Sequence, residues 1–139
     1  MTDRFALSVP GKPEYIGTVR MTVAHVASRL GFDIEAIDDI KVAVSEACTN
    51  IVLHAHENKD CSYEVVLEVE EEKKLMITVK DTGVGFGVED YVEPVLGESQ
   101  GSGLGIFIIR ALMDEVELHS EPGAGTNIHM TKYLQSRTA

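Results

Sequence analysis

Several features are missing from this 139-residue sequence, and each absence removes a class of function. No apolar run approaches the roughly 18–20 residues needed to span a bilayer. The first residues, Met1-Thr2-Asp3-Arg4-Phe5, lack the basic region and apolar block of a signal peptide. A cytoplasmic protein without membrane contact is therefore expected. Basic residues are scarce, with 12 Lys and Arg against 23 Asp and Glu and a formal net charge of −11. Direct binding to nucleic acid or to an anionic membrane would need the opposite sign. The acidity suits solubility, or a basic or mixed-charge protein partner. The only cysteines are Cys48 and Cys61, and with His54 and His56 they make no familiar zinc spacing. Free thiols are expected rather than a disulfide. There is no internal repeat and no low-complexity segment.

The hydrophobic fraction is 44%, ordinary for a globular protein. The length suits one domain over residues 1–139, with a real core. Residues 4–9 alternate as a short strand, which Pro10-Gly11-Lys12-Pro13 ends. Pro13 suits the first position of a helix. Ile16, Val19, Val23, Val26, Ala27 and Leu30 then fall at helical spacing, and Gly31 is a C-terminal stop. Asp33 is placed to cap a second helix running to about residue 55, with Ile37, Ile40, Val44, Ala47 and Ile51 as its buried stripe. Residues 63–69 and 75–80 alternate as a hairpin around the charged tip Glu70-Glu71-Glu72-Lys73. Residues 81–103 are glycine-rich without periodicity, a length of loop that points to function. A short apolar helix over 104–113, a strand over 116–119, a turn over 121–125 and a closing strand over 126–133 complete the order β-α-α-β-β-loop-α-β-β. The fold class expected is α+β: a two-layer sandwich with a mixed, mostly antiparallel sheet and helices packed on one face.

Three segments carry chemistry. In the middle of the second helix, Glu46 and Asn50 stand four residues apart and so leave one face a turn apart, at the border of the core. A carboxylate and a carboxamide so placed can serve as a base beside a metal ligand, although any surface helix can carry the same pair. Asp81-Thr82-Gly83-Val84-Gly85 follows a strand. Its carboxylate suits the exocyclic amino group of adenine, with Gly83 and Gly85 letting the backbone approach a flat ring; alone, the segment fits an ordinary Asp-Gly turn better. Gly101-Ser102-Gly103-Leu104-Gly105 precedes a helix, and its backbone N–H groups suit a di- or triphosphate. It is not a P-loop, because no Gly-Lys-Ser/Thr follows, so Mg²⁺ with Asn50 as one oxygen ligand is the natural counterion. Thr126 offers a further hydroxyl, or simply starts its strand.

Taken in order, Glu-x-x-x-Asn, Asp-x-Gly-x-Gly and Gly-x-Gly-x-Gly resemble the three boxes of the GHKL, or Bergerat-fold, ATP-binding superfamily. Within it, Val44-Ser45-Glu46-Ala47-Cys48-Thr49-Asn50, Pro13-Glu14-Tyr15, Val26-Ala27-Ser28-Arg29 and Leu112-Met113-Asp114-Glu115-Val116 resemble the anti-sigma-factor serine kinases of the RsbW and SpoIIAB group over nearly the whole chain. That resemblance implies a homodimer that binds ATP or ADP with Mg²⁺. It implies that the protein sequesters a sigma factor and phosphorylates a serine of an anti-anti-sigma protein. By residue, Glu46 would be the base and Asn50 the Mg²⁺ ligand. His54, Asp81, Gly83, Gly85, Gly101, Ser102, Gly103, Leu104, Gly105 and Thr126 would shape the nucleotide pocket. Arg20 would contact a partner, though a solvated surface arginine reads nearly as well. Residues 92–100 resemble the family's ATP lid, here without Lys or Arg. A switch kinase that binds no sigma factor, and a nucleotide-gated binding module without transfer activity, remain open alternatives.

Overall fold

The computed structural model describes residues 2–55, 62–81, 102–121 and 125–135. Strand β1 (Thr2–Pro10) leads through a single 3-10 turn (Pro13–Tyr15) into helix α1 (Ile16–Leu30). Pro13 opens that turn rather than α1 itself. Helix α2 (Ile34–Ala55) follows, then strands β2 (Ser62–Glu70) and β3 (Lys74–Asp81), helix α3 (Ser102–Leu112), and strands β4 (Glu115–Glu121) and β5 (Gly125–Tyr133). Among the described residues no helix is long and apolar enough to cross a membrane.

The helix ends obey local chemistry. Gly31 takes the left-handed conformation, φ 105°, and returns its N–H to the last turn of α1. Asp33 accepts the Ala36 N–H at 2.8 Å through its carboxylate. That cap satisfies one of the orphan donors at the start of α2, worth about 1 kcal/mol.

The five strands form one sheet in the order β1-β2-β3-β5-β4. Its four ladders are all antiparallel, so the α+β sandwich with helices on a mostly antiparallel sheet is as expected, and among the described residues the sheet holds no parallel pair. The reason is connectivity: β2–β3 and β4–β5 are hairpins, and α3 returns the chain so that β5 runs against β3. At the tip of the first hairpin Lys73 donates its N–H to the Glu70 carbonyl, and Glu72 turns through φ 63°.

Side chains of period two face the helices: Tyr63, Val65, Leu67 and Val69 from β2, Leu75, Ile77 and Val79 from β3, Ile128 and Met130 from β5. They meet Val19, Val23 and Ala27 of α1, and Ile40, Val44, Ala47 and Ile51 of α2, in one core. Helix α2 lies between α1 and α3 and packs onto β3. The middle of α2 therefore meets α3, where Glu46 faces Gly105.

Candidate nucleotide and phosphotransfer site

The site is assembled on α2. Ala43, Val44, Ala47, Cys48 and Ile51 bury its core face, and this fixes the direction of the residues between them. Asn50 goes further into the protein than the border position expected: it is 2% exposed. Among the described residues neither its carboxamide oxygen nor its nitrogen has a hydrogen-bond partner. Burying a carboxamide in that state costs several kcal/mol unless something else supplies the bonds. Glu46, one turn earlier, is half-buried. It sits against α3, where a side chain built on Gly105 would meet its carboxylate.

Asp81 closes β3 beside the first residue of β5. Gly125 has φ 83°, and a Cβ on it would collide with the Asp81 carbonyl oxygen. Only glycine combines that backbone angle with that approach. Gly125 was expected in a turn, and its role in seating Asp81 was not foreseen. The signal was present in Gly123-Ala124-Gly125-Thr126, a glycine that opens a strand whose second residue is buried. Thr126 is buried, and its hydroxyl lies 3.0 Å from that of Ser120 on β4, a neighbour the sequence did not suggest.

Arg20 reaches across from α1 to α2. Its guanidinium donates to Ser45 Oγ at 3.2 Å, and Ser45 in turn donates to the Lys41 carbonyl at 2.7 Å. Gly17, one turn before Arg20, leaves the space along α1 in which the guanidinium lies: a Cβ there would stand 3.3 Å from Arg20 Nη2. Arg20 is thus anchored on Ser45, the residue before Glu46, rather than free in solvent. Leu104 is half exposed, at 52%. Gly83, Gly85, Gly101 and residues 92–100, expected as an ATP lid, lie outside the described residues, as do Cys61 and His56. Ser102, Gly103 and His54 are described only as parts of their helices.

Comparison with known proteins shows the family. The family model described as a histidine kinase-like ATPase domain matches residues 9–132. The serine-protein kinase RsbW of Listeria monocytogenes is 39% identical over 145 residues, covering 99% of this chain and 91% of its own. That of Bacillus pumilus is 39% identical over 142 residues, covering 95% and 86%. The chain belongs to the RsbW family of serine-protein kinases. Solved structures agree at the level of the fold. The RsbU and RsbW domains of a Mycobacterium tuberculosis protein superpose with a TM-score of 0.70 at 20% identity, over 94% of this chain and 31% of that longer one. A histidine kinase domain from the blue-light activated kinase of Erythrobacter litoralis gives 0.58 at 25% identity, over 88% and 60%.

An ATPase domain of this family binds ATP or ADP, and the residues present suit a metal-bound nucleotide. A buried carboxamide oxygen with no protein partner has the chemistry of a single hard ligand to Mg²⁺. Among the described residues no group of three or more His, Cys, Asp or Glu side chains forms a metal cage.

Below the site, Cys48 is a free, buried thiol. Burial pushes it up to about 12, with Tyr63 opposing slightly. It is inert packing, not a nucleophile.

Proposed function

We propose that this chain is an anti-sigma factor and an ATP-dependent serine kinase. It sequesters an alternative sigma factor and phosphorylates a serine on that factor's anti-anti-sigma antagonist, in a stress or sporulation switch in the cytoplasm. The observation that carries this reading is the pair on α2: a buried Asn50 whose polar atoms have no partner among the described residues, and a half-buried Glu46 one turn away. A binding module without transfer activity would need only the first of these.

The chemistry follows from their separation. The serine oxygen forms a bond to the γ-phosphorus as the bond to the ADP oxygen breaks. The hydroxyl proton passes to a Glu46 carboxylate oxygen, which orients the nucleophile as it accepts. Asn50 binds on the nucleotide side, one turn along. Bound Mg²⁺ supplies neutralisation of the phosphate charge. Asp81, seated by Gly125 at the end of β3, accepts from the adenine amino group. The N–H groups at the start of α3 face the phosphates. Such a transfer depends mostly on alignment and charge, so few side chains are needed.

Arg20 is the proposed partner contact, and its bond to Ser45 ties that surface to α2. A homodimer is also part of the proposal. Edge strand β1 and helix α1 border a cavity of about 1010 Å³ lined by Phe5, Leu7, Met21, Val26 and Leu30, of which Phe5 is 49% and Met21 64% exposed. Apolar exposure of this kind marks an interaction surface. Sedimentation should find a dimer at micromolar concentration, and a monomer there contradicts it.

Incubation with γ-labelled ATP and the anti-anti-sigma protein of the same genome should label one serine. Absence of transfer overturns the kinase reading. Capture of the kinase substrate but of no sigma factor would leave the switch kinase that lacks a sigma partner.

A further inference from the structure

Gly105 is buried within α3, and the space its side chain would fill is already taken by one atom. A Cβ built on Gly105 stands 2.9 Å from Glu46 Oε2. The next nearest atoms, Glu46 Cβ at 3.8 Å and Cδ at 3.9 Å, are at ordinary contact. Among the described residues nothing else in the α2–α3 seam is crowded by it. The conflict is between one methyl group and one carboxylate oxygen.

Two consequences separate folding from function. The crowded oxygen ends a flexible side chain, so it can rotate away while the helix backbones stay in place. Alanine also favours a helix interior over glycine by about 1 kcal/mol. The fold therefore has no need of glycine at 105, whereas the observed orientation of the Glu46 carboxylate does.

We propose that Gly105 is a positioning residue for phosphotransfer: the missing side chain on α3 is the slot that holds the Glu46 carboxylate toward the incoming serine. This rests on the reading of Glu46 as the proton acceptor. It gives Gly105 a task on the nucleophile's side of the reaction, distinct from shaping the nucleotide pocket. Helix α3 then serves both reactants, the phosphates at its start and the base at Gly105.

The test is a double-variant cycle in the full-length protein, with ATP and the anti-anti-sigma protein. Gly105→Ala should lower kcat at least tenfold, leave KM for ATP within twofold, and leave the thermal midpoint unchanged or higher. Glu46→Asp is shorter by one methylene and withdraws the carboxylate from the slot, so it should lower kcat by itself. Adding Gly105→Ala to Glu46→Asp should then cost less than twofold more. Equal losses on the two backgrounds overturn the proposal, as does a raised KM for ATP at normal kcat. A lowered midpoint for Gly105→Ala overturns the claim that only the carboxylate yields. Wild-type transfer by Glu46→Gln removes the proton-acceptor reading itself, and this proposal with it.

Discussion

The α2–α3 seam and the β3–β5 junction are each closed by a glycine. What fills the space of the missing side chain differs. At the seam it is Glu46 Oε2, the far end of a side chain with three rotatable bonds. At the junction it is the main-chain carbonyl of Asp81, met by a residue already at φ 83°. The first obstacle can swing aside and the second cannot. The same substitution, Gly→Ala, therefore probes chemistry at 105 and folding at 125.

The largest effect belongs to the seam. Glu46→Gln keeps the shape that packs against Gly105 but cannot take a proton. Single-turnover transfer should fall by on the order of 10²–10⁴, the usual contribution of a positioned base. Unchanged transfer would reduce the seam to packing. Next comes the polar orphan beside it. Asn50→Ala should weaken Mg²⁺-dependent ATP binding by about 1.5–3 kcal/mol, read by calorimetry, as expected for a bond to a charged group. The nucleotide-free protein should lose little or no stability, because two unpaired buried atoms leave with the side chain. A large loss of stability would mean that Asn50 holds the fold rather than a ligand.

At the junction, Gly125→Ala should cost about 1–3 kcal/mol in urea denaturation, from the positive φ and the backbone collision together. Gly105→Ala should cost nothing in the same assay. Equal losses at both positions would erase the distinction drawn between them.

A further effect lies on the buried face of α2 and depends on pH. The Cys48 thiol is raised from its ordinary 9.0 to about 12 in the fold. Above pH 9 the unfolded chain gives up this proton while the folded chain keeps it. Stability is thus fully present below pH 9 and falls as pH rises toward 12, by at most about 1.4 kcal/mol per unit. Burial raises Tyr63 as well, which adds to the same slope. Cys48→Ala should flatten the decline seen in urea titrations at alkaline pH, and an unchanged slope would assign it elsewhere.

Much of this was legible in the sequence, for physical reasons that differ by element. Period 3.6 in α1 and α2 and period 2 in β2 and β3 report burial on one face, so those elements and the Asp33 cap could be read directly. Strand ends were short by one or two residues, because hydrogen bonding continues past the last alternating side chain. The wholly antiparallel sheet was not readable, since pairing partners far apart in sequence leave no local pattern. Glu46 and Asn50 could be placed on one helix face, but the full burial of Asn50 depends on where α3 and β3 come to rest. Gly105 was read as a phosphate-loop glycine, and its approach to Glu46 exists only once two helices meet. The same holds for Gly125 and Asp81, which lie 44 residues apart and touch only across β3 and β5.

The division of labour on α2 is the central claim, and one experiment addresses it most directly. Mg²⁺-ATP affinity and single-turnover transfer are measured side by side for Glu46→Gln and Asn50→Ala. Glu46→Gln should bind nucleotide as the wild type does and fail in transfer. Asn50→Ala should bind weakly and recover transfer in part at saturating Mg²⁺-ATP. Two variants with the same defect, both losing affinity or both losing only transfer, would contradict it.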